Sequence, residues 1–232
     1  MKTYYFVRHG ASLVDSGELE MEGINAPASA DDIALSDMGR EEAARAAEFF
    51  HRLGTIQAVY SSPLSRTYET AEIIANRLDL PVHVLPEVRE VDVNGIFEFF
   101  KRNSGRSAFK FGPGNLPFPV YRRLLMATGT ALFAVWRAAD GIPDTERVAE
   151  VRARLERALA LLQDAPENRI VIVAHGYFIT FLTSYLIEKN PFELARLDKV
   201  WVPNCSVTKV TARPGGRLRL RYFARADYDQ IT

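Results

Sequence analysis

Only four histidines occur in the 232-residue chain, and two of them share an unusual setting. His9 follows the short apolar run Tyr4–Val7 and Arg8, and it precedes Gly10. His175 follows the run Arg169–Ala174 (RIVIVA) and precedes Gly176. Both runs read as buried strands. A further strand, predicted at Ile56–Tyr60, leads into Ser61-Ser62-Pro63-Leu64-Ser65-Arg66, where Ser62 as a capping hydroxyl and Pro63 at the first position announce a helix. In an open α/β sheet, ligands bind at the carboxyl ends of the strands. Two histidines with Arg8 and Arg66 at one such edge make an anion site. Helix N-termini supply N–H groups and a favourable dipole, and arginine supplies planar donors that match phosphate oxygens. A glycine beside each histidine admits close backbone approach. A histidine held among these cations has a depressed pKa, so it stays neutral and nucleophilic. The chemistry these groups suit is transfer of a phosphoryl group.

The remaining sequence supplies elements to position them. Ser36 reads as an N-cap, followed by Ala43, Ala46, Ala47, Phe50 and Leu53 at helical spacing, with Gly54 placed to end the helix. The helix opened by Ser62-Pro63 is predicted to run to Leu78, and Pro81–Leu85 is a short strand. From Glu87 to Gly95 the chain is acidic and irregular, then turns rich in phenylalanine (Phe97, Phe99, Phe100, Phe109, Phe111, Phe118). Helical periodicity returns over about 119–139, and again with Val148, Val151, Leu155, Leu159 and Leu162. A helix over 177–188 follows His175. Two late strands, about 205–212 and 218–224, form a hairpin around Pro214-Gly215-Gly216. Alternating strands and helices predict an α/β three-layer sandwich, a mostly parallel sheet with helices on both faces and one antiparallel member from the hairpin. One domain spans 1–232, with a helical cap insertion at about 96–143.

Composition sets outer bounds. Lys+Arg and Asp+Glu number 29 each, and this balance argues against a nucleic-acid or polyanion binder. The single cysteine, Cys205, excludes an internal disulfide and reads as a small packing residue. The amino-terminal apolar run is too short for a signal peptide, and no stretch approaches the ~20 apolar residues of a membrane span. A cytoplasmic protein with no membrane partner is expected. His51 and His83 lack chemical context and read as surface residues.

The sequence resembles the histidine phosphatase superfamily, which also holds the cofactor-dependent phosphoglycerate mutases. The matching segments are Arg8-His9-Gly10, Leu35-Ser36-Asp37-Met38-Gly39, Ser61 to Ala71 (SSPLSRTYETA), Val171 to Gly176 and Asn204-Cys205-Ser206-Val207. The resemblance implies that His9 attacks phosphorus and becomes a phosphohistidine, while Arg8, Arg66 and His175 hold the equatorial oxygens. It implies a carboxylic acid after the third strand, for which Glu90 matches best and Glu87 is the second choice. No cofactor or metal is called for. The sequence departs from the family pattern at Ala11, where an acidic residue is common, and at Asp15, where an asparagine contacts phosphate. Asn94 also stands where a glycine is usual, with Gly95 one later. An aspartate near phosphate repels it unless protonated or turned away.

The reading is a metal-independent phosphatase acting on a small phosphorylated metabolite. A phosphoglycerate mutase is the nearest alternative, although the middle segment does not match a mutase-type insert. A zinc hydrolase is disfavoured by Arg8 and Arg66 beside the histidines, and a non-catalytic phospho-ligand module by the full set of His9, Glu90 and His175. The phenylalanines of 97–118 read as core or cap packing, with a substrate-mouth lining or a homodimer interface as the alternative. Arg122 and Arg123 read as solvated surface.

Overall fold

The computed structural model describes residues 1–17, 33–92, 135–138, 145–189, 201–213 and 217–231. It contains β1 (Lys2–Arg8), α1 (Asp37–Leu53), β2 (Ala58–Ser61), α2 (Ser65–Leu78), β3 (Val82–Val84), a 3-10 turn (Pro86–Val88), α3 (Val148–Asp164), β4 (Arg169–Ala174), α4 (Gly176–Lys189), β5 (Val207–Ala212) and β6 (Leu218–Arg225). The strands form one six-stranded sheet in the order β3-β2-β4-β1-β5-β6. β1 to β4 run parallel, and β5 is antiparallel to both β1 and β6. The protein is therefore an α/β sandwich on a mostly parallel sheet.

Alternation along the strands sends one set of side chains to each face. Tyr5, Val7, Val59, Val171 and Val173 pack with Ala43, Ala46, Ala47 and Phe50 of α1 and with Ala71 and Ile74 of α2. Tyr5 and Phe50 meet edge to face, 5.6 Å between centroids. The opposite set, Tyr4, Phe6, Ile170 and Ile172, is equally buried, and so are Phe178, Phe181 and Leu182 of α4. α1 begins and ends where the sequence predicts. The Ser36 hydroxyl accepts from Gly39 N at 3.1 Å, and Gly54 adopts φ 61 to close the last turn.

The predicted start of α2 needs correction. The helix begins at Ser65, its N-cap is Leu64 with no side-chain cap bond, and the Ser62 hydroxyl serves His175 instead. The chain divides into two compact units, Met1–Glu90 with Leu155–Thr232, and Val91–Arg154. In the second unit the Arg154 guanidinium pairs with Glu146 at 2.8 Å, and Trp136 Nε1 donates to the Glu146 carbonyl. The predicted cap at 96–143 falls within this unit's range. Of it only the helical turn 135–138 is described, so the phenylalanines of 97–118, Asn94, Gly95, Arg122 and Arg123 lie outside the described residues. Among the described residues no helix is long and apolar enough to cross a membrane.

Candidate active site

β4 inserts between β1 and β2, so the strands that end in Arg8 and Ala174 are register partners. The residues that follow them, His9 and His175, thus come side by side, with ring centroids 5.3 Å apart. Both rings are buried. Arg66, in the first turn of α2, reaches across both. Its Nε lies 3.3 Å from His9 Nε2, and one terminal nitrogen lies 3.4 Å from His175 Nδ1. A cation in a first turn opposes the helix dipole, so this placement is explained by what Arg66 meets and not by helix stability.

The hydrogen bonds fix both tautomers. His9 Nδ1 lies 2.7 Å from the Gly10 carbonyl, which can only accept, so Nδ1 carries the proton. Nε2 is left with a lone pair aimed at Arg66. For His175, Nδ1 faces the donating guanidinium, so Nε2 carries the proton and donates to Ser62 Oγ at 2.8 Å. Burial first, then the charges of Arg8 and Arg66, hold the His9 imidazole down to about 3, against the opposing pull of Asp15 and the Gly10 carbonyl. His9 is neutral across the physiological range.

The loop after β1 is braced from two helices. Thr70 Oγ1 accepts from Gly10 N at 3.1 Å, and Glu42 accepts from Ala11 N at 2.8 Å. A β-carbon on Gly10 would collide with the Gly39 carbonyl, and one on Gly39 with the Ala11 carbonyl, so the two backbones pass at a distance that only glycine allows. From the other side, Cys205 N donates to the Arg8 carbonyl at 3.0 Å and Asn204 Nδ2 to the His9 carbonyl at 3.2 Å. Cys205 is buried and free, as its reading as a packing residue requires.

Arg8 donates to the Val202 carbonyl at 2.9 Å, and its guanidinium lies 5.7 Å from the Trp201 ring centroid. Its Nε is buried without a hydrogen-bond partner. Asp15 takes another of its nitrogens at 3.0 Å. The Asp15 carboxyl is thus turned towards Arg8. Burial works to raise its pKa, but Arg8, His9 and the Ser12 N–H and hydroxyl hold the carboxyl well below the usual range. Glu90 accepts from Tyr177 N at 3.4 Å and Phe178 N at 3.0 Å, at the amino end of α4 just past His175. The Tyr177 hydroxyl is pushed up to about 12 by burial and by Glu90, with Arg8 opposing, so it feels both groups. Glu87 lies in the 3-10 turn. His51 and His83 are exposed and take part in none of these contacts.

Ser62, Thr70, Glu42, Asn204 and Tyr177 were not singled out by sequence reasoning as site residues. Thr70 was findable, because it sits one helical turn beyond Arg66 on the same face. The other four depend on contacts between distant segments.

The chain is similar to known proteins in both sequence and fold. Residues 4–102 and 126–224 match the model of the histidine phosphatase superfamily (branch 1). The chain is 30% identical over 218 residues to the probable phosphoglycerate mutase GpmB of Erwinia tasmaniensis, covering 90% of this chain and 85% of that protein. Its fold matches a mycobacterial glucosyl-3-phosphoglycerate phosphatase solved with VO3, with TM-score 0.63, 25% identity and coverage of 96% and 99% of the two chains. It also matches the phosphoglycerate mutase of Bacillus anthracis in fold, with TM-score 0.65, 20% identity and coverage of 98% and 94%. On its sequence as well as its fold, this chain belongs to the histidine phosphatase superfamily.

Proposed function

We propose that the protein is a metal-independent phosphatase that hydrolyses a small phosphomonoester through a phosphohistidine on His9. The observation that carries this reading is the fixed tautomer of His9, whose Nε2 lone pair is directed at the Arg66 guanidinium. A phosphoryl group entering there draws the Arg66 donors onto its oxygens and exposes Nε2 to phosphorus. The N–P bond forms as the P–O ester bond breaks. The proton stays on Nδ1, donated to the Gly10 carbonyl, and this hydrogen bond stabilises the positive ring of the phosphohistidine. Arg8 with its buried Nε, Arg66 and His175 take the equatorial oxygens, where the transition state spreads its charge.

Glu90 supplies the proton to the leaving alkoxide. As a carboxylate it then takes a proton from the water that attacks the phosphohistidine, which releases inorganic phosphate and restores His9. Its contacts at the head of α4, beside His175, favour it over Glu87. The inward ring nitrogens of both histidines meet a guanidinium, an environment that repels a metal cation.

A mutase reading is favoured by the names of several relatives at 29–31% identity, which are probable phosphoglycerate mutases. The two reactions differ in whether water or a second hydroxyl takes the phosphoryl group. Turnover of p-nitrophenyl phosphate in chelator, from mildly acidic to neutral pH, tests the reading. Hydrolysis by the wild type that vanishes in His9→Ala is expected. Equal rates in the two proteins, or loss of activity to the chelator, would overturn it. Interconversion of phosphoglycerates faster than any hydrolysis would favour the mutase.

A further inference from the structure

Along β1, β5 and β6, on the sheet face that carries Thr3 and Tyr5, lies a bay of about 490 Å³. Arg169 at the start of β4, Lys209 of β5, and Arg221 and Arg225 of β6 line it together with Tyr5 and Tyr222. No carboxylate lines the bay, and none of its four cations forms an ion pair among the described residues. Along β4 from Arg169 to Ala174 the separation from the candidate active site is roughly 17 Å at the usual strand rise.

The backbone is shaped to gather these charges. Val210 pairs with Leu220 and Val207 with Arg225, so β6 takes five steps where β5 takes three. One extra residue of β6 lies on each side of the Lys209–Tyr222 pair, with Ala224 at φ 48, a left-handed conformation that costs an L-residue energy. In a regular strand Tyr222 and Arg225, three apart, would face opposite sides. Here the Arg225 guanidinium lies 5.4 Å from the Tyr222 ring centroid, on the same side. Arg221 is tied in by its Nε, which donates to Thr211 Oγ1 at 2.9 Å. The Lys209 ammonium stands 5.5 Å from the Tyr5 ring and 5.7 Å from the Tyr222 ring, and the buried Tyr222 hydroxyl has no hydrogen-bond partner. Burial and the charges of Arg169 and Arg221 lower the Lys209 pKa, as expected where like charges lack a counter-ion. Bulges that re-aim side chains recur beside binding sites, and clustered cations without a counter-ion favour a multiply charged anion.

We propose that this bay is a second anion site that binds a ligand with two adjacent phosphate groups, such as free pyrophosphate or the diphosphate of a nucleotide. The inference does not depend on the phosphatase reading. Calorimetric titration of inorganic pyrophosphate into the full chain and into Lys209→Gln/Arg221→Gln tests it. The double variant is expected to lose one site or to weaken it at least tenfold, with p-nitrophenyl phosphate turnover unchanged. Arg66→Ala should keep the bay site. Arg225→Gln, exposed at the sheet edge, provides a second variant and should weaken the same site about threefold. Identical titrations of the wild type and the bay variants would overturn the proposal. A parallel titration with a nucleoside diphosphate separates the two sources of the ligand, because tighter binding than pyrophosphate assigns the nucleotide and equal or weaker binding assigns the pyrophosphate group alone. Absence of turnover in every protein would count against the phosphatase reading and leave the bay result standing.

Discussion

Asp15 is the residue whose charge most directly opposes the work assigned to its neighbours. It holds Arg8 at 3.0 Å and accepts the Ser12 N–H and hydroxyl with its other oxygen. An incoming phosphoryl group must share Arg8 with this carboxylate. Asp15→Asn keeps the shape and removes the charge, so competitive inhibition by inorganic phosphate should tighten about tenfold, or ~1.4 kcal/mol. Unchanged or weaker inhibition would mean that Asp15 serves only to aim Arg8. His9 carries a second prediction. The unfolded chain protonates this imidazole near its ordinary value of 6.5, whereas the folded chain resists until about 3. Between those values the unfolded state holds the extra proton, so stability is present above about pH 6.5 and is lost as pH falls, by up to ~1.4 kcal/mol per unit. Thermal melts from about pH 6.5 to about 5 should show a steeper fall in Tm for the wild type than for His9→Gln. Parallel falls would contradict the buried neutral imidazole. The individual side chains Arg8, His9, Arg66 and His175 were legible because residue type and position at strand or helix ends suffice to suggest an anion site. The behaviour of Asp15 was not, because its state depends on a guanidinium contact that spacing alone does not reveal.

At the scale of elements, the β2–α2 connection shows both the reach and the limit of sequence reading. Pattern correctly placed a strand, a serine–proline turn and a helix here, and the cap rule then assigned Ser62 to the helix. Inside the fold the same hydroxyl accepts from His175 Nε2, while the Thr67 hydroxyl bonds the Ser62 and Leu64 carbonyls. A helix start can go without a side-chain cap when the residue that would provide it is worth more elsewhere. Ser62→Ala leaves the His175 N–H buried without its acceptor, at a cost of about 1–3 kcal/mol. If that loss falls on the transition state, kcat drops roughly ten- to hundredfold. KM should stay within about threefold, and Ser62→Thr should restore most of the rate. Equal losses in Ala and Thr, or a change confined to KM, would contradict a positioning role for Ser62. Elements with strong periodicity, such as α1 and β4, lie where the sequence predicts because local caps and burial settle them.

For the molecule as a whole, strand order does what no local pattern can report. Alternation of strands and helices sufficed for a mostly parallel sheet, but the insertion of β4 between β1 and β2 is a long-range pairing, and it alone brings His175 beside His9. The zero net charge likewise hides how charge is distributed. Arginines converge at the carboxyl ends of the strands, around His9, and other cations gather separately on β4, β5 and β6 around the second bay. The central claim is that His9 Nε2 takes the phosphoryl group. Incubating the full chain with a phosphomonoester, quenching in alkali and reading the intact and peptide masses tests it most directly, because phosphohistidine survives base. With p-nitrophenyl phosphate, whose leaving phenolate needs no proton from Glu90, one added phosphoryl group is expected on the peptide that contains His9, increased when Glu90→Gln slows hydrolysis and absent in His9→Gln. Turnover with no phosphorylated His9 in either the wild type or Glu90→Gln would contradict it.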